Sequence, residues 1–289
     1  RKDKHMKKFG KSQLKGLLFL APSLAGVSLF VFLPFLDVIR RSFGEAVTGK
    51  FVGIRNYLDV FENTAFQLAA WNTLRFVGVC IPLLLVLSLA AALLLSGKIR
   101  HRQALKSTFL IPMAIPVASV VLLWRLLFHS QGLFNRILTG MHLTGVDWMN
   151  SSAAFGVLVF SYLWRNLGYD VILWLAGLSG IPYSLYEAAK VDGADSWQCF
   201  VWITLPNLLP CAFTVTVLSL LNSFKVFREA YLVAGDYPHE SMYLLQHLFN
   251  NWYRDLSFDK MAAGAVVTGA VIFLLVFCLE KAWDVKERK

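Results

Sequence analysis

The sequence predicts an all-α membrane protein with six transmembrane helices and with both termini in the cytoplasm. Hydrophobic residues make up 57% of the 289 residues and charged residues only 16%, which is too apolar a composition for a soluble domain. Six apolar runs approach the length of about 20 residues with which a helix crosses a bilayer. Basic residues are concentrated beside alternate runs, as the positive-inside rule requires of cytoplasmic connections.

The six spans are predicted at residues 17–36, 76–95, 108–128, 154–178, 207–224 and 261–281. Each run is longer than a strand, and backbone groups that face lipid must be paired within their own segment, so each run is expected to form a helix. The first run is too long for a signal peptide, and no cleavage-like site follows it, so we expect a retained anchor. Prolines within the first three spans are expected to kink these helices or to mark their ends. They are Pro22, Pro34, Pro82, Pro112 and Pro116.

Charge divides the chain into a basic tail at residues 1–16, a membrane domain at 17–283 and a short tail at 284–289. The first tail has seven basic residues against one acid, and the connection at 97–107 has four basic residues and no acid. The positive-inside rule then puts both termini, and the connection at 179–206, in the cytoplasm. The net charge of +10 follows from this topology, so we expect no nucleic-acid partner.

Cysteine and histidine show no arrangement typical of a metal site or of a disulfide framework. The four cysteines form no CxxC pair, and the six histidines form no HExxH pair. The sequence also lacks the GxxxxGK[ST] loop that binds nucleotide phosphates, and it has no paired carboxylates or nucleophile–base spacing. We therefore expect no metal, no cofactor, no catalytic residue and no enzymatic activity.

The connection at 179–206 predicts a helix–turn–helix at the cytoplasmic face. Pro182 suits the first turn of a helix, where no amide donor is needed. Asp192-Gly193 is a turn and helix-stop signal, because glycine readily takes a positive φ. Asp195 or Ser196 is suited to cap a second short helix, after which the chain leads back to the membrane.

Within this connection a Glu-Ala-Ala triplet, a Gly-Ala pair and an Ile-x-Leu-Pro stretch follow one another at fixed spacing. The segment resembles the EAA loop of permease subunits of binding-protein-dependent ABC importers. The matching positions are Glu187, Ala188, Ala189, Asp192, Gly193, Ala194, Ile203, Leu205 and Pro206. The resemblance implies a type I ABC importer permease fold, and a loop that docks into a cleft on a cytosolic ABC ATPase dimer and couples it to the membrane helices. It also implies that Glu187 pairs with a basic residue of the ATPase and that Gly193 forms the turn. The alternative is an interfacial helix without a partner.

Further motifs are similar to those of the first permease subunit of maltose-type sugar importers. They are Leu20-Ala-Pro-Ser, Phe32-Leu-Pro, Asn72-Thr-Leu-Arg75, Phe109-Leu-Ile-Pro112 and Ser223-Phe-Lys-Val-Phe227. The chain departs from that group at Gly235-Asp-Tyr-Pro238, where the group has Gly-Gly-Pro. The resemblance implies a protein of the bacterial inner membrane, in contact with lipid, that imports a sugar. Its further partners would be an extracytoplasmic substrate-binding protein and a second permease subunit, usually a different chain, although a homodimer stays open.

Polar side chains within spans four and five predict the pathway of the solute. The candidates are Tyr162, Arg165, Asn166 and Tyr169 in span four and Asn222 and Ser223 in span five. Those in span four are three or four residues apart and so share one helix face. Intramembrane charge is costly and usually faces a cavity or a partner helix, and polar groups mixed with aromatic rings suit a sugar. The alternative is that Arg165 or Asp170 pairs with the second permease subunit.

Two other functions are left open by the residues. Import of glycerol-3-phosphate or another small polar solute is the alternative within the same family. A phosphate would prefer paired basic residues, and Arg165 and Lys225 keep this alternative open. An ion-coupled secondary transporter is less favoured, because it predicts inverted repeats or a relay of buried acids. Asp170 is the only acid clearly inside a predicted span.

Overall fold

The computed structural model describes residues 11–97, 102–226, 228, 230–231 and 235–287, which form helices joined by turns and connections. The helices are α1 (Lys11–Val27), α2 (Leu33–Ser42), α3 (Arg55–Glu62), α4 (Thr64–Ser96), α5 (Arg102–Ala114), α6 (Val117–Leu127), α7 (Leu133–Gly140), α8 (Ala153–Ser179), α9 (Tyr183–Val191), α10 (Ser196–Cys199), α11 (Leu205–Ser223), α12 (Leu245–Arg254) and α13 (Phe258–Glu287). Two π-helical turns, Ser28–Phe32 and Phe200–Thr204, join α1 to α2 and α10 to α11. Most of the predicted N-terminal tail and the end of the predicted C-terminal tail lie outside the described residues.

Several of these helices are long and apolar enough to cross a membrane. Among the described residues there are four continuous stretches of this kind: Phe19–Ser42, Thr64–Ser96, Ser196–Ser223 and Phe258–Lys281. A fifth crossing is available if α5 and α6 together form one span. The predicted all-helical class with apolar candidate spans is therefore confirmed, and the sequence underestimated the length of several helices.

The helix predicted over residues 108–128 is broken in the structure, at one of the prolines expected to kink it or to mark its end. Helices α5 and α6 meet at an angle of 91°, and Pro116 lies at the break in an extended conformation with φ −56° and ψ 138°. Proline lacks an amide donor and disfavours helical backbone at the residue before it, here Ile115. Other prolines do not end their helices, since Pro82 and Pro112 lie within α4 and α5.

Helix α8 occupies the sequence in which the fourth span is expected. It is 27 residues long, but its mean hydropathy is too low for composition alone to indicate a membrane span, because Arg165, Asn166 and Asp170 lie in its middle. The helix is in contact with α4, α5 and α11. Its polar residues are therefore surrounded largely by protein, which is the usual environment of intramembrane charge.

The chain forms two compact units. One contains the described part of Arg1–Glu62 together with Trp252–Val271. In it the end of α2 is held by Asn56, whose Nδ2 donates hydrogen bonds to the carbonyl oxygens of Ser42 at 3.0 Å and Gly44 at 2.8 Å. These bonds satisfy carbonyl groups that the end of a helix would otherwise leave without partners.

The second unit contains Asn63–Asn251 and Ile272–Lys289, and α8 makes its closest helix contacts at two glycines. A Cβ on Gly168 would lie 1.8 Å from the carbonyl oxygen of Phe109 in α5. A Cβ on Gly177 would lie 2.8 Å from the Sγ of Cys211 in α11. Small residues let helix backbones approach closely in membranes, where packing rather than a hydrophobic driving force holds helices together.

The segment before α12 is tied to the start of α4 by hydrogen bonds. Asn72 Nδ2 donates to the carbonyl oxygens of Glu240 at 2.6 Å and Tyr243 at 3.0 Å. His247 is bonded to the same segment, because its Nδ1 accepts a hydrogen bond from the amide of Leu244 at 3.2 Å. Burial lowers the pKa of His247 from its ordinary 6.5 to about 4, although the nearby Asp236 acts in the opposite direction. Burial therefore favours the neutral form of His247 in this fold.

Replacement of Gly168 by alanine is expected to destabilise the second unit. The new methyl group would overlap the backbone of Phe109, which cannot move like a flexible side chain. Overpacking of this kind costs about 1–3 kcal/mol, so the apparent Tm in detergent should fall by roughly 5 °C. The matched control is Gly156→Ala on the same helix, where a Cβ meets nothing within 4 Å. Equal Tm values for the two variants would contradict the close approach at Gly168.

Acidification is expected to loosen the segment around His247. Because an exposed histidine binds a proton near pH 6.5 and His247 in the fold only near 4, the stabilisation is complete above about pH 6.5 and is lost as the pH falls toward 4. Hydrogen exchange at the amides of Leu244 and Leu245, corrected for intrinsic rates, should show roughly thirtyfold less protection at pH 5 than at pH 7.5. His247→Gln should remove this dependence and His239→Gln should keep it. Persistence of the dependence in His247→Gln would show that another group titrates.

Candidate functional site: a polar cavity and a helix–turn–helix segment

A polar cavity of about 200 Å³ lies within the second unit. Its wall is formed by residues of α5, α6, α8 and α11 and of the chain that follows α11. The lining residues are Met113, Val117, Ser161, Tyr162, Arg165, Asn166, Asn222, Val226 and Arg228. Two guanidinium groups, two carboxamides and two hydroxyl-bearing side chains thus line the cavity together with three apolar side chains.

Four of the six residues predicted for a solute pathway line this cavity. Tyr162 is buried, and its hydroxyl donates a hydrogen bond of 2.7 Å to the carbonyl oxygen of Ser219 in α11. Arg165 gives a long hydrogen bond of 3.4 Å from its guanidinium to the carbonyl oxygen of Ile115. Asn166 donates to the carbonyl oxygen of Tyr162 at 2.9 Å, and Asn222 completes the set from α11. These four residues thus share one cavity, and their contact with a solute stays a prediction.

The other two predicted residues do not line the cavity. Tyr169 lies on the same stripe of α8 as Tyr162, but seven residues at 1.5 Å each carry it about 10 Å along the helix axis. Ser223 is buried, and its Oγ donates a hydrogen bond of 2.6 Å to the carbonyl oxygen of Leu220 in its own helix. Periodicity identifies the face of a helix, but it does not identify the depth at which a cavity ends.

Sequence reasoning missed Arg228, which supplies the second positive charge of the lining. Helix α11 ends at Ser223, and a short 3₁₀ turn at Phe224–Val226 follows it. The chain after this turn was interpreted as a connection outside the spans, so its arginine was not considered. The sequence offered one signal for this residue, since Arg228 is basic and lies only six positions after Asn222. The side chain of Lys225, the other basic candidate, lies outside the described part of the chain.

A buried carboxyl group joins α8 to α11 behind the cavity. Asp170 is 1% exposed, and its Oδ2 accepts a hydrogen bond of 2.8 Å from the Oγ of Ser219. Its Oδ1 has no hydrogen-bond partner among the described residues. Asp170 does not belong to the cavity lining. Tyr162 and Asp170 lie about two turns apart on α8, and both form hydrogen bonds with Ser219. One residue of α11 is therefore bound at two points along α8.

The segment between α8 and α11 folds as the predicted helix–turn–helix. Pro182 precedes α9, which ends at Val191 with Asp192 as its C-cap. Gly193 follows with φ +82°, a conformation in which a side chain would be strained. Asp195 caps α10: its carboxylate accepts from the amide of Gln198 at 2.7 Å, and the side chain of Gln198 accepts from the amide of Asp195 at 2.8 Å. This reciprocal pair is a capping box.

The nine EAA-type positions are spread over the outer and inner faces of this segment. Glu187, Ala188, Asp192, Gly193, Leu205 and Pro206 are exposed, whereas Ala189, Ala194 and Ile203 are half-buried. Tyr186 anchors α9 to the following π-helical turn, since its hydroxyl forms a hydrogen bond of 2.9 Å with the Oγ1 of Thr204. The segment thus presents one carboxylate on an ordered helix that is fixed to the base of α11.

The chain is similar to known permease proteins over most of its length. It is 33% identical over 270 residues to the trehalose/maltose transport system permease protein of Thermococcus litoralis, which covers 91% of this chain and 89% of that protein. It is 30% identical over 267 residues to the arabinooligosaccharide transport system permease protein of Bacillus subtilis, which covers 90% and 84% of the two chains.

A solved structure shares the fold. A chain of a bacterial ABC transporter involved in the import of the acidic polysaccharide alginate superposes with a TM-score of 0.82 at 22% identity. The superposition covers 94% of this chain and 96% of that chain. Residues 63–285, which include both the cavity and the helix–turn–helix segment, match the family described as "Binding-protein-dependent transport system inner membrane component". The chain belongs to this family of inner-membrane transport components, and it is a permease rather than an enzyme.

Proposed function

We propose that this chain is one of two permease subunits of a type I ABC importer that carries a sugar or oligosaccharide inward. The observation that carries this proposal is the pairing of a polar cavity with an exposed EAA-type loop on the same two helices, α8 and α11. The two relatives above are named for trehalose/maltose and for arabinooligosaccharides, which supports a carbohydrate. The solute would arrive on an extracytoplasmic binding protein, and ATP would be hydrolysed by a separate subunit.

The size of the cavity supports a pathway shared with a second permease. Ligand pockets commonly have volumes of about 300–1,000 Å³, and the cavity of this chain has about 200 Å³. This small volume supports a site that is shared with a facing subunit, which would supply the other wall. Arg165 and Arg228 belong to the wall that this chain supplies. In a heterodimer, a different second subunit would allow the other wall to carry different side chains.

The surface of the helix–turn–helix supports docking to a cytosolic ATPase dimer. Tyr183, Val191, Trp197 and Trp202 are each two-thirds or more exposed. A cluster of exposed apolar side chains of this kind marks an interaction surface. Glu187 is exposed in α9, and within the described residues its carboxylate has neither a hydrogen bond nor an ion pair. It is thus available to a basic residue of the ATPase.

The proposed topology has six spans with both termini in the cytoplasm. In this arrangement α8 is the fourth span, although its polar middle hides it from hydropathy, and α5 with α6 forms the bent third span. The segment at 179–206 then faces the cytoplasm, as docking to the ATPase requires. Residues 17–283 form the membrane domain between the basic tail at 1–16 and the tail at 284–289.

Purification of the tagged chain from its native membrane, with mass spectrometry of the proteins that accompany it, tests the assembly. A cytosolic ATPase, a second permease and a binding protein should be recovered with it. Recovery of the chain alone in several mild detergents would contradict the importer assembly and would favour an ion-coupled transporter.

Replacement of Glu187 by alanine, or of Gly193 by valine, is expected to abolish the stimulation of ATPase activity by the loaded binding protein. The first change removes the exposed carboxylate, and the second strains the turn, because valine rarely adopts φ near +82°. The assembled importer in nanodiscs should fall to its basal ATPase rate, with the membrane domain still folded. Glu240→Ala is the charge-matched control, since Glu240 lies outside this segment and is exposed. Full stimulation in Glu187→Ala and Gly193→Val would exclude a coupling role for the loop.

A further inference from the structure

We infer that Ser161 binds the solute, by donating a hydrogen bond from its hydroxyl to an oxygen atom of the sugar, and that Trp124 positions this hydroxyl. The inference rests on the proposed function, because it treats the cavity as part of a solute pathway. It goes beyond that function because it gives a role in recognition to two residues that the polar pattern of the spans does not single out. Two observations carry it: the hydrogen bond between these residues, and an acceptor that Ser161 lacks.

The hydroxyl of Ser161 has its acceptor role filled by Trp124. The indole Nε1 of Trp124 in α6 lies 2.8 Å from the Oγ of Ser161 in α8. An indole nitrogen can only donate, so the oxygen of Ser161 is the acceptor in this bond. Both side chains are buried, with exposed fractions of 3% for Trp124 and 4% for Ser161. The hydrogen of the Ser161 hydroxyl must therefore be donated to a different group.

No acceptor for this hydrogen is present among the described residues, where the bond with Trp124 is the only hydrogen bond of the Ser161 side chain. The other buried serine and threonine hydroxyls in the described part of the chain each donate to a carbonyl or carboxylate oxygen. They are Ser42, Ser88, Thr204, Ser219 and Ser223. Buried polar groups are nearly always paired. We therefore expect the acceptor of the Ser161 hydroxyl to come from outside the protein.

The cavity gives a solute access to this hydroxyl, since Ser161 belongs to its lining together with Asn166. The Nδ2 of Asn166 already donates to the carbonyl oxygen of Tyr162 at 2.9 Å, which leaves its carboxamide oxygen as an acceptor. The wall thus offers a donor at Ser161 and an acceptor at Asn166. The hydroxyls of a sugar can both accept and donate, so a sugar matches a wall of this kind.

A second tryptophan–serine hydrogen bond of α8 shows what a purely structural pair looks like. Trp174 Nε1 donates to the Oγ of Ser88 at 2.9 Å, and that Oγ donates in turn to the carbonyl oxygen of Leu85 at 3.2 Å. Neither Trp174 nor Ser88 lines the cavity. This pair is satisfied within the protein, whereas the pair of Trp124 and Ser161 lines the cavity and has a donor left over.

Aromatic neighbours fix the ring of Trp124, so the direction of its N–H is fixed as well. The ring centroid of Trp124 lies 5.8 Å from that of Phe128, 5.5 Å from that of Phe160 and 5.2 Å from that of Trp164. Without the indole N–H, the Ser161 hydroxyl would be free to bond a carbonyl oxygen of its own helix, as serine often does. Trp124 therefore keeps this donor oriented for the solute before the solute arrives, which favours binding.

Equilibrium binding of labelled sugars to the assembled importer in nanodiscs, without its binding protein, tests the role of Ser161. The probes are maltose, trehalose and arabinotriose, in keeping with the names of the two relatives. The unchanged importer should bind at least one of them. Ser161→Ala should weaken binding of that sugar about tenfold, because it removes the donor, and Ser161→Thr, which keeps a hydroxyl, should stay within about threefold of the unchanged importer.

A double-mutant cycle tests the positioning role of Trp124. Trp124→Phe keeps an aromatic ring in the cluster but removes the N–H, and it should weaken binding about fivefold. In the Ser161→Ala background the same change should have no further effect on binding, because Trp124 acts through Ser161. The controls are Trp174→Phe and Ser88→Ala, which break the matched pair and should lower the Tm without weakening sugar binding. Co-purification of the same subunits with each variant shows that the importer still assembles.

Several results would overturn the inference. They are unchanged binding in Ser161→Ala, binding as weak in Ser161→Thr as in Ser161→Ala, an equal effect of Trp124→Phe in both backgrounds, and an equal loss of binding in the controls. If Ser161→Ala does not assemble, the comparison of Trp124→Phe with Trp174→Phe decides, and equal affinities in these two would contradict the inference.

The outcomes also separate this inference from the proposed function. An importer that assembles and binds a sugar equally well in all variants would retain the proposed function and lose the inference. An assembled importer that binds none of the three sugars would overturn the inference, and the assembly with an ATPase would stand. A chain that purifies without an ATPase would overturn the proposed function itself.

Discussion

The polar cavity depends on the close approach of α8 to α5 at Gly168. A Cβ there would lie 1.8 Å from the carbonyl oxygen of Phe109, so the two backbones can be this close only because the residue has no side chain. Arg165 and Asn166 lie within one turn before Gly168, and Met113 lies one turn after Phe109. The backbone contact therefore brings the walls of the cavity together, and it leaves little room for relaxation, since backbone atoms cannot rotate away as side chains do.

Hydrogen bonds between side chains hold the same helix in its place. Trp174 Nε1 donates to the Oγ of Ser88 in α4 at 2.9 Å, and Ser219 of α11 binds both Tyr162 and Asp170. In a bilayer the lipid is as apolar as the helix surface, so association relies on packing and on such polar contacts. Asp170, one of the polar residues that keep α8 from being recognised as a span by hydropathy, is thus also one of the residues that fix it among its neighbours.

The cavity and the helix–turn–helix segment share their supporting helices. Helix α8 carries Arg165 and ends at Ser179, directly before the segment, and α11 begins at Leu205, directly after it, and carries Asn222. The capping box at Asp195 and the contact of Tyr186 with Thr204 keep the segment ordered. Under the proposed function, a force that an ATPase applies to this segment would reach two walls of the cavity.

The sequence by itself determined the features that arise within about twenty neighbouring residues. Hydropathy gave the all-helical membrane class, helix-stop chemistry gave the turn at Gly193, and helical periodicity placed Tyr162, Arg165 and Asn166 on one face. The tertiary structure alone decided the depth of the cavity, which excludes Tyr169, and the inclusion of Arg228 from the chain beyond α11. It also decided that α5 and α6 meet at 91°, whereas Pro116 by itself indicated only a kink or an end. Such features depend on contacts between residues far apart in the chain, and local patterns carry no information about those contacts.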